Sequence, residues 1–274
     1  MMKRYGAWPA WLFMGLFFVA PLVALVPEAL ADQGSAFGRV FGDRLFWGAL
    51  RNTLVLGLCA GALSAVVGTV LALELARQPE GRRRWLMTLL GLPLAFSGLV
   101  IAYGFILAFG RAGFVTQLLA FLGADPAVVG NWIYSVVGLG FAYAYYLVPR
   151  VALSLYPVFA NLDTRPLQAA RTLGATRWRA FAGTVLPEVA PSVLSSACLV
   201  AALAMGTYGT ALALAGTQLN ILPLLLLLAK VSDGGSDFAG AAAMSLVLMV
   251  VCVIVMGIGD VLTRRRESTA GAEH

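Results

Sequence analysis

Between residues 161 and 187 the chain reads NLDTRPLQAARTLGATRWRAFAGTVLP. Asp163 or Thr164 can cap a helix start, and Pro166 is tolerated in a first helical turn, where a missing N–H costs nothing. Residues 167–172 then make a short helix, and Gly174 suits the left-handed residue that ends it. Thr176 can cap a second short helix, 177–183, before Leu186-Pro187 opens a long apolar run. Two short helices rich in small residues and arginines form a knob suited to a groove on another protein. A solvated basic loop is the plainer reading, and local chemistry alone weighs the two evenly.

The surroundings of this segment are membrane-like. A spanning helix needs roughly 20 mainly apolar residues. Runs at 8–26, 50–75, 86–109, 132–148 (continuing as helix to 160), 189–215 and 238–262 meet that length. A seventh stretch, 221–230, is too short to cross and reads as re-entrant or interfacial. The chain is 60% hydrophobic and 12% charged. Soluble domains average about 45–50% and 25%, so a soluble enzyme, a disordered chain and a disulfide scaffold are excluded. The fold class expected is an all-α membrane protein with six transmembrane helices.

The net charge of +6 is a topology signal. Fourteen of the nineteen Lys and Arg residues fall on one side: Lys3 and Arg4, the cluster Arg77 to Arg84, Arg150 to Arg179, and Arg264 to Arg266. The positive-inside rule makes that side cytoplasmic, with both termini inside. The arginines are scattered over loops without interleaved aromatics, so nucleic acid is not an expected partner. The first apolar run, followed by Ala29-Leu30-Ala31, has some features of a signal peptide, but it exceeds the usual apolar core of about 7–15 residues.

Missing residue types narrow the chemistry. The single histidine is His274, so no catalytic triad or histidine metal cluster can be assembled. Cys59, Cys198 and Cys252 lie singly within apolar runs and read as small hydrophobes. No G-x-x-x-x-G-K-[ST] loop is present. Glu28, Arg51, Glu74, Glu188 and Asp260 all fall near span ends, so mid-depth proton relays are absent. No catalytic, cofactor or metal site is expected. Uphill transport by such a chain needs energy from a partner.

The loop resembles the EAA motif of permease subunits of bacterial ABC importers. That pattern is Glu-Ala-Ala, three residues, Gly, nine residues, Ile, one residue, Leu-Pro. Here Gln168-Ala169-Ala170, Gly174, Thr184 and Leu186-Pro187 keep every spacing. Gln168 stands for the Glu and Thr184 for the Ile. Asn52-Thr53-Leu54, Tyr146-Leu147-Val148-Pro149 and Leu162-Asp163 look like the same family. The segment ARTLGATRWRAF, Gly206-Thr207-Tyr208-Gly209 and Gly216-Thr217-Gln218 resemble the subgroup importing polyamines, ferric iron, thiamine or aminoethylphosphonate.

The resemblance implies the six-helix, MetI-like core of type I ABC importers in the bacterial inner membrane. It implies a first transmembrane helix and periplasmic loop over 1–45, a permease core over 46–264 with coupling loop 161–187, and a cytoplasmic tail over 265–274. Gln168, Ala169, Ala170, Arg171, Thr172, Gly174 and Ala175 would face the ATPase. The partners implied are two ABC ATPase subunits using ATP and Mg, a second permease subunit (a different chain favoured over a second copy), and a periplasmic solute-binding protein. An energy-independent channel or secondary carrier is the competing reading.

Two further features have structural and functional readings side by side. Small residues stripe the second span: Gly57, Gly61 and Ala65, and Ser64, Gly68 and Ala72. They suit close helix packing, within the subunit rather than between subunits. Tyr143 and Tyr146, one turn apart, with Thr207 and Tyr208, are candidate lining for a polar path. Buried helix contacts are the preferred reading of the tyrosines.

Overall fold

Helices of membrane length dominate the computed structural model, which describes residues 8–30, 34–216, 219–231 and 237–270. Among these residues there is no strand, and six helices are long and apolar enough to cross a bilayer. They are Trp11–Leu30, Arg44–Arg77, Gly98–Phe121, Val136–Ala160, Arg177–Gly206 and Phe238–Val261, called spans one to six below. Thr217 and Gln218 of the subgroup signature lie outside the described residues, as do Lys3, Arg4 and His274.

Span two shows why this sequence suits lipid. From Thr53 onward its buried positions are Thr53, Gly57, Ala60, Gly61, Ser64, Ala65, Gly68, Ala72 and Leu75, one helical stripe of mostly small residues. Val55, Leu58, Leu63, Val66 and Val70 are exposed. Large apolar side chains gain nothing by leaving hydrocarbon, so size rather than polarity decides what turns inward.

The chain divides into two compact units, 1–52 with 220–251 and 53–219 with 252–274. In the first, Phe46, Ala49, Leu222, Ala243 and Met244 form a core. The stretch expected to be too short to cross is the helix Leu222–Val231, and its Leu222 and Leu224 are buried here. Asn52 Nδ2 donates to the Asn220 carbonyl at 2.9 Å, and Asn220 Nδ2 donates to the Leu45 carbonyl at 3.2 Å. This pair fixes the entry to the short helix.

In the second unit, the stripe of span two packs within the chain. A methyl group at Gly61 would lie 2.8 Å from the Ala197 carbonyl oxygen, and one at Gly68 2.7 Å from Val151 Cγ1. The runs expected as single helices over 86–109 and 189–215 are both interrupted, and the third and fifth spans lie at Gly98–Phe121 and Arg177–Gly206 instead. The helix Glu80–Gly91 passes into a 3-10 turn, Leu92–Ala95, before Gly98–Phe109 begins. Pro93 cannot donate to a helix ladder, Phe96 is extended, and Ser97 Oγ restarts the helix by accepting Val100 N–H at 3.4 Å. Span five breaks after Gly206: Thr207 has ψ 105, and a separate helix, Gly209–Ala215, follows.

Candidate functional site: the loop between spans four and five

The loop begins where Asn161 closes span four, its Nδ2 donating to the Pro157 carbonyl at 2.8 Å. Asp163 Oδ1 then accepts Arg165 N–H at 2.9 Å. Of the two capping candidates it is therefore Asp163 that makes the bond, while Thr164 makes no side-chain cap. The first loop helix is Arg165–Thr172, with Pro166 in its first turn. It ends in a Schellman motif. Gly174 has φ +88, Gly174 N–H reaches the Arg171 carbonyl and Ala175 N–H reaches the Ala170 carbonyl, both at 3.1 Å. No atom would meet a methyl group at Gly174 within 4 Å, so backbone conformation alone calls for glycine there.

Thr176 Oγ1 accepts Arg179 N–H at 3.4 Å and caps the second loop helix, as its position suggested. That helix does not stop before the membrane. Arg177–Ala180 widens into a π-turn, Phe181–Val185, and continues directly as Leu186–Gly206. The expected separate helix over 177–183 is thus the first turns of span five. Pro187 explains the π-turn: a proline lacks N–H and crowds the carbonyl four residues back. Leu186 N–H instead reaches the Phe181 carbonyl, and Thr184 Oγ1 donates to the Ala180 carbonyl at 2.7 Å. A hydroxyl at position 184, where the motif has Ile, therefore takes part in the ladder. Ala180, Val185 and Val189 are buried and anchor this continuous element.

The first loop helix has two faces. Leu167 and Ala170 are half-buried and turn inward. Arg171 lines a cleft with Leu73 and Arg77. Gln168, Ala169, Thr172 and Gly174 are exposed, and Ala175 is half-buried. Two large apolar side chains stand exposed on the loop: Leu173, 88% exposed, beside Gly174, and Trp178, 72% exposed, at the rim of the cleft that Arg171 lines. Sequence reading passed over both; Leu173 abuts the helix-ending glycine, and Trp178 stands alone among arginines.

The second group of candidates lies at the break in span five. Tyr143 is fully buried, and its Oη donates to the Thr207 carbonyl at 3.4 Å. The Tyr143 and Tyr146 rings meet edge-to-face at 6.0 Å. Thr207 Oγ1 donates to the Leu203 carbonyl at 2.7 Å. The hydroxyls of Thr207 and Thr210 are the polar neighbours of Tyr146. Yet Tyr146 Oη and Thr210 Oγ1, both buried, close no hydrogen bond among the described residues. The structure thus gathers Tyr143, Tyr146 and Thr207 with Thr210, which sequence reading missed. Tyr208 is half-buried at the start of Gly209–Ala215.

Residues 57–268 match the family model described as "Binding-protein-dependent transport system inner membrane component". The chain belongs to this family. The match covers both site candidates and most of the chain. Among relatives of this permease, the sulfate transport system permease protein CysW of Synechocystis sp. is 28% identical over 92% of the chain and 90% of its own length. The putative 2-aminoethylphosphonate transport system permease protein PhnU of Salmonella typhi is 26% identical over 88% of the chain and 86% of its own length. A chain from the crystal structure of a bacterial alginate ABC transporter, in complex with alginate pentasaccharide-bound periplasmic protein, superposes with TM-score 0.73. It is 17% identical and covers 94% of this permease and 92% of itself. The protein is therefore a multi-pass inner-membrane permease of a binding-protein-dependent ABC importer.

Proposed function

We propose that this permease is driven by a separate ATPase subunit seated on the loop 161–187, and that the permease itself binds no nucleotide. The observation that carries this reading is the outer surface of the loop. Gln168, Ala169, Thr172 and Gly174 offer small or uncharged groups, flanked by Leu173 standing almost fully clear of the protein. Exposed large apolar side chains on an aqueous loop mark an interaction surface. The Schellman turn holds it rigid, and the unbroken run from Arg177 to Gly206 gives it a stiff lever into span five. Force on the loop reaches the break at Thr207 through one continuous element.

Six spans form half of a translocation path, completed by a second permease subunit, with a periplasmic binding protein delivering solute. The solute is a small oxyanion on this reading. Sulfate and 2-aminoethylphosphonate in the relatives' names are both of that class. A cleft of about 800 Å³ at the end of the helix Gly209–Ala215 supports it, lined by Arg111, Asn131, Tyr134 and Ser135. Arg111 donates to Asn131 Oδ1 at 3.0 Å and has no carboxylate partner among the described residues.

Reconstitution into proteoliposomes tests the driven reading. With ATPase and binding protein present, uptake should require ATP, and Gly174→Asp should abolish it while the protein remains folded. Solute flux through the permease alone would instead establish the channel or carrier alternative.

A further inference from the structure

Between the two loop helices and the end of span two lies a cleft of about 670 Å³. Three guanidinium groups line it: Arg77 from span two, Arg171 from the first loop helix and Arg177 from the second. Arg77 pairs with Glu74 at 2.8 Å. Arg171 and Arg177 have no carboxylate partner among the described residues. The remaining wall is apolar, with Leu73, Trp178 and Phe181, and the two rings stack at 6.1 Å. An adjoining cleft of about 340 Å³ shares Leu73, Arg77 and Phe181 and continues along Phe159, Leu162 and Val185. A cationic mouth therefore opens onto an apolar floor.

The position fixes the kind of ligand. Arg77 is the last residue of the helix that crosses the membrane, and Phe181 lies in the first turns of span five. This is headgroup depth on the basic, cytoplasmic side, where tryptophan rings also settle. Arginines match phosphate oxygens in bidentate geometry. Basic pockets between spanning helices on this side take anionic lipid headgroups. A free anion or an acidic side chain of a partner would use the cationic mouth only and leave the apolar continuation empty.

We propose that this cleft binds the headgroup phosphate of an anionic phospholipid, with the glycerol and upper acyl chain along Leu73, Phe181 and Phe159. One phosphate between Arg77, Arg171 and Arg177 ties span two to both loop helices. It sets the loop's posture without covering Gln168, Ala169 or Leu173. The site goes beyond the proposed ATPase docking and does not depend on it.

Native mass spectrometry of the purified full-length permease in neutral detergent provides the test, with phosphatidylglycerol and phosphatidylcholine of matched chains as probes. Phosphatidylglycerol should be retained over phosphatidylcholine, and Arg171→Gln/Arg177→Gln should weaken it by roughly tenfold or more. Arg82→Gln/Arg84→Gln, on the same side but outside the cleft, should leave it unchanged. Equal retention of the two lipids by the wild-type protein overturns the proposal without recourse to any variant. So does equal loss in both double variants, which means bulk surface charge. Displacement of phosphatidylglycerol by millimolar inorganic phosphate also overturns it, in favour of a free-anion site. Because ATPase is absent, failure here leaves the docking reading to its own test.

Discussion

Tyr143 in span four donates its hydroxyl to the main-chain carbonyl of Thr207, 64 residues later, at 3.4 Å. A carbonyl inside an unbroken helix would be occupied by its own ladder. Thr207 sits where span five breaks, between Gly206 and Gly209, so its carbonyl is free to accept. In hydrocarbon an unpaired carbonyl is costly, and non-helical backbone persists only where protein or a wet cavity satisfies it. The tyrosine is therefore part of the break.

Tyr143→Phe should remove that bond and leave the carbonyl unpaired, destabilising the protein by about 1–3 kcal/mol. Thermal unfolding in detergent, followed by size-exclusion fluorescence, reads the loss. Tyr146→Phe serves as contrast. Its hydroxyl lies beside those of Thr207 and Thr210 but closes no hydrogen bond among the described residues, so its melting temperature should stay near wild type while uptake falls several-fold.

Packing of the second unit rests on close approach at span two. Gly61→Leu should cost about 1–3 kcal/mol by overpacking against Ala197 and Ala201. Gly104→Ala, where a methyl group meets nothing within 4 Å, should be neutral or slightly stabilising. Equal effects in thermal unfolding would contradict the packing described.

The first unit turns on Asn52 and Asn220. Asn52→Leu should leave the Asn220 carbonyl without its donor, and the amides of Leu224 and Leu225 should exchange faster. Each of these amides bonds to the Ile221 carbonyl in the first turn of the short helix. Hydrogen exchange at those positions measures the effect. Asn52→Asp, which accepts but does not donate in its ionised form, should behave like Leu.

Much of this fold follows from the sequence because the membrane leaves few options. Apolar runs of spanning length must be helices, and arginines mark the inner ends. The loop was legible because its signals are local: Asp163, Pro166, Gly174 and Thr176 each act within a few residues. The breaks at 92–97 and at Thr207 were not legible. Hydropathy runs straight through them, and the break at Thr207 depends on Tyr143, a partner distant in the chain. The fusion of the second loop helix with span five was hidden for a similar reason. Pro187 looks like a helix start, and a π-turn carried by Thr184 lets the helix continue instead. Buried contacts for Tyr143 and Tyr146 accord with the sequence, but spacing within span four does not reveal that their partners lie at Thr207 and Thr210.

The central claim is that an ATPase sits on the outer face of the loop. The most direct measurement places a photo-crosslinking amino acid at Leu173, which is 88% exposed there. Irradiated membranes containing the whole transporter should yield a covalent adduct with the ATPase subunit whose yield changes with ATP. The same probe at Phe121, 91% exposed but on another element, should yield none. No adduct from position 173 in a transporter that still carries out ATP-dependent uptake would contradict the claim.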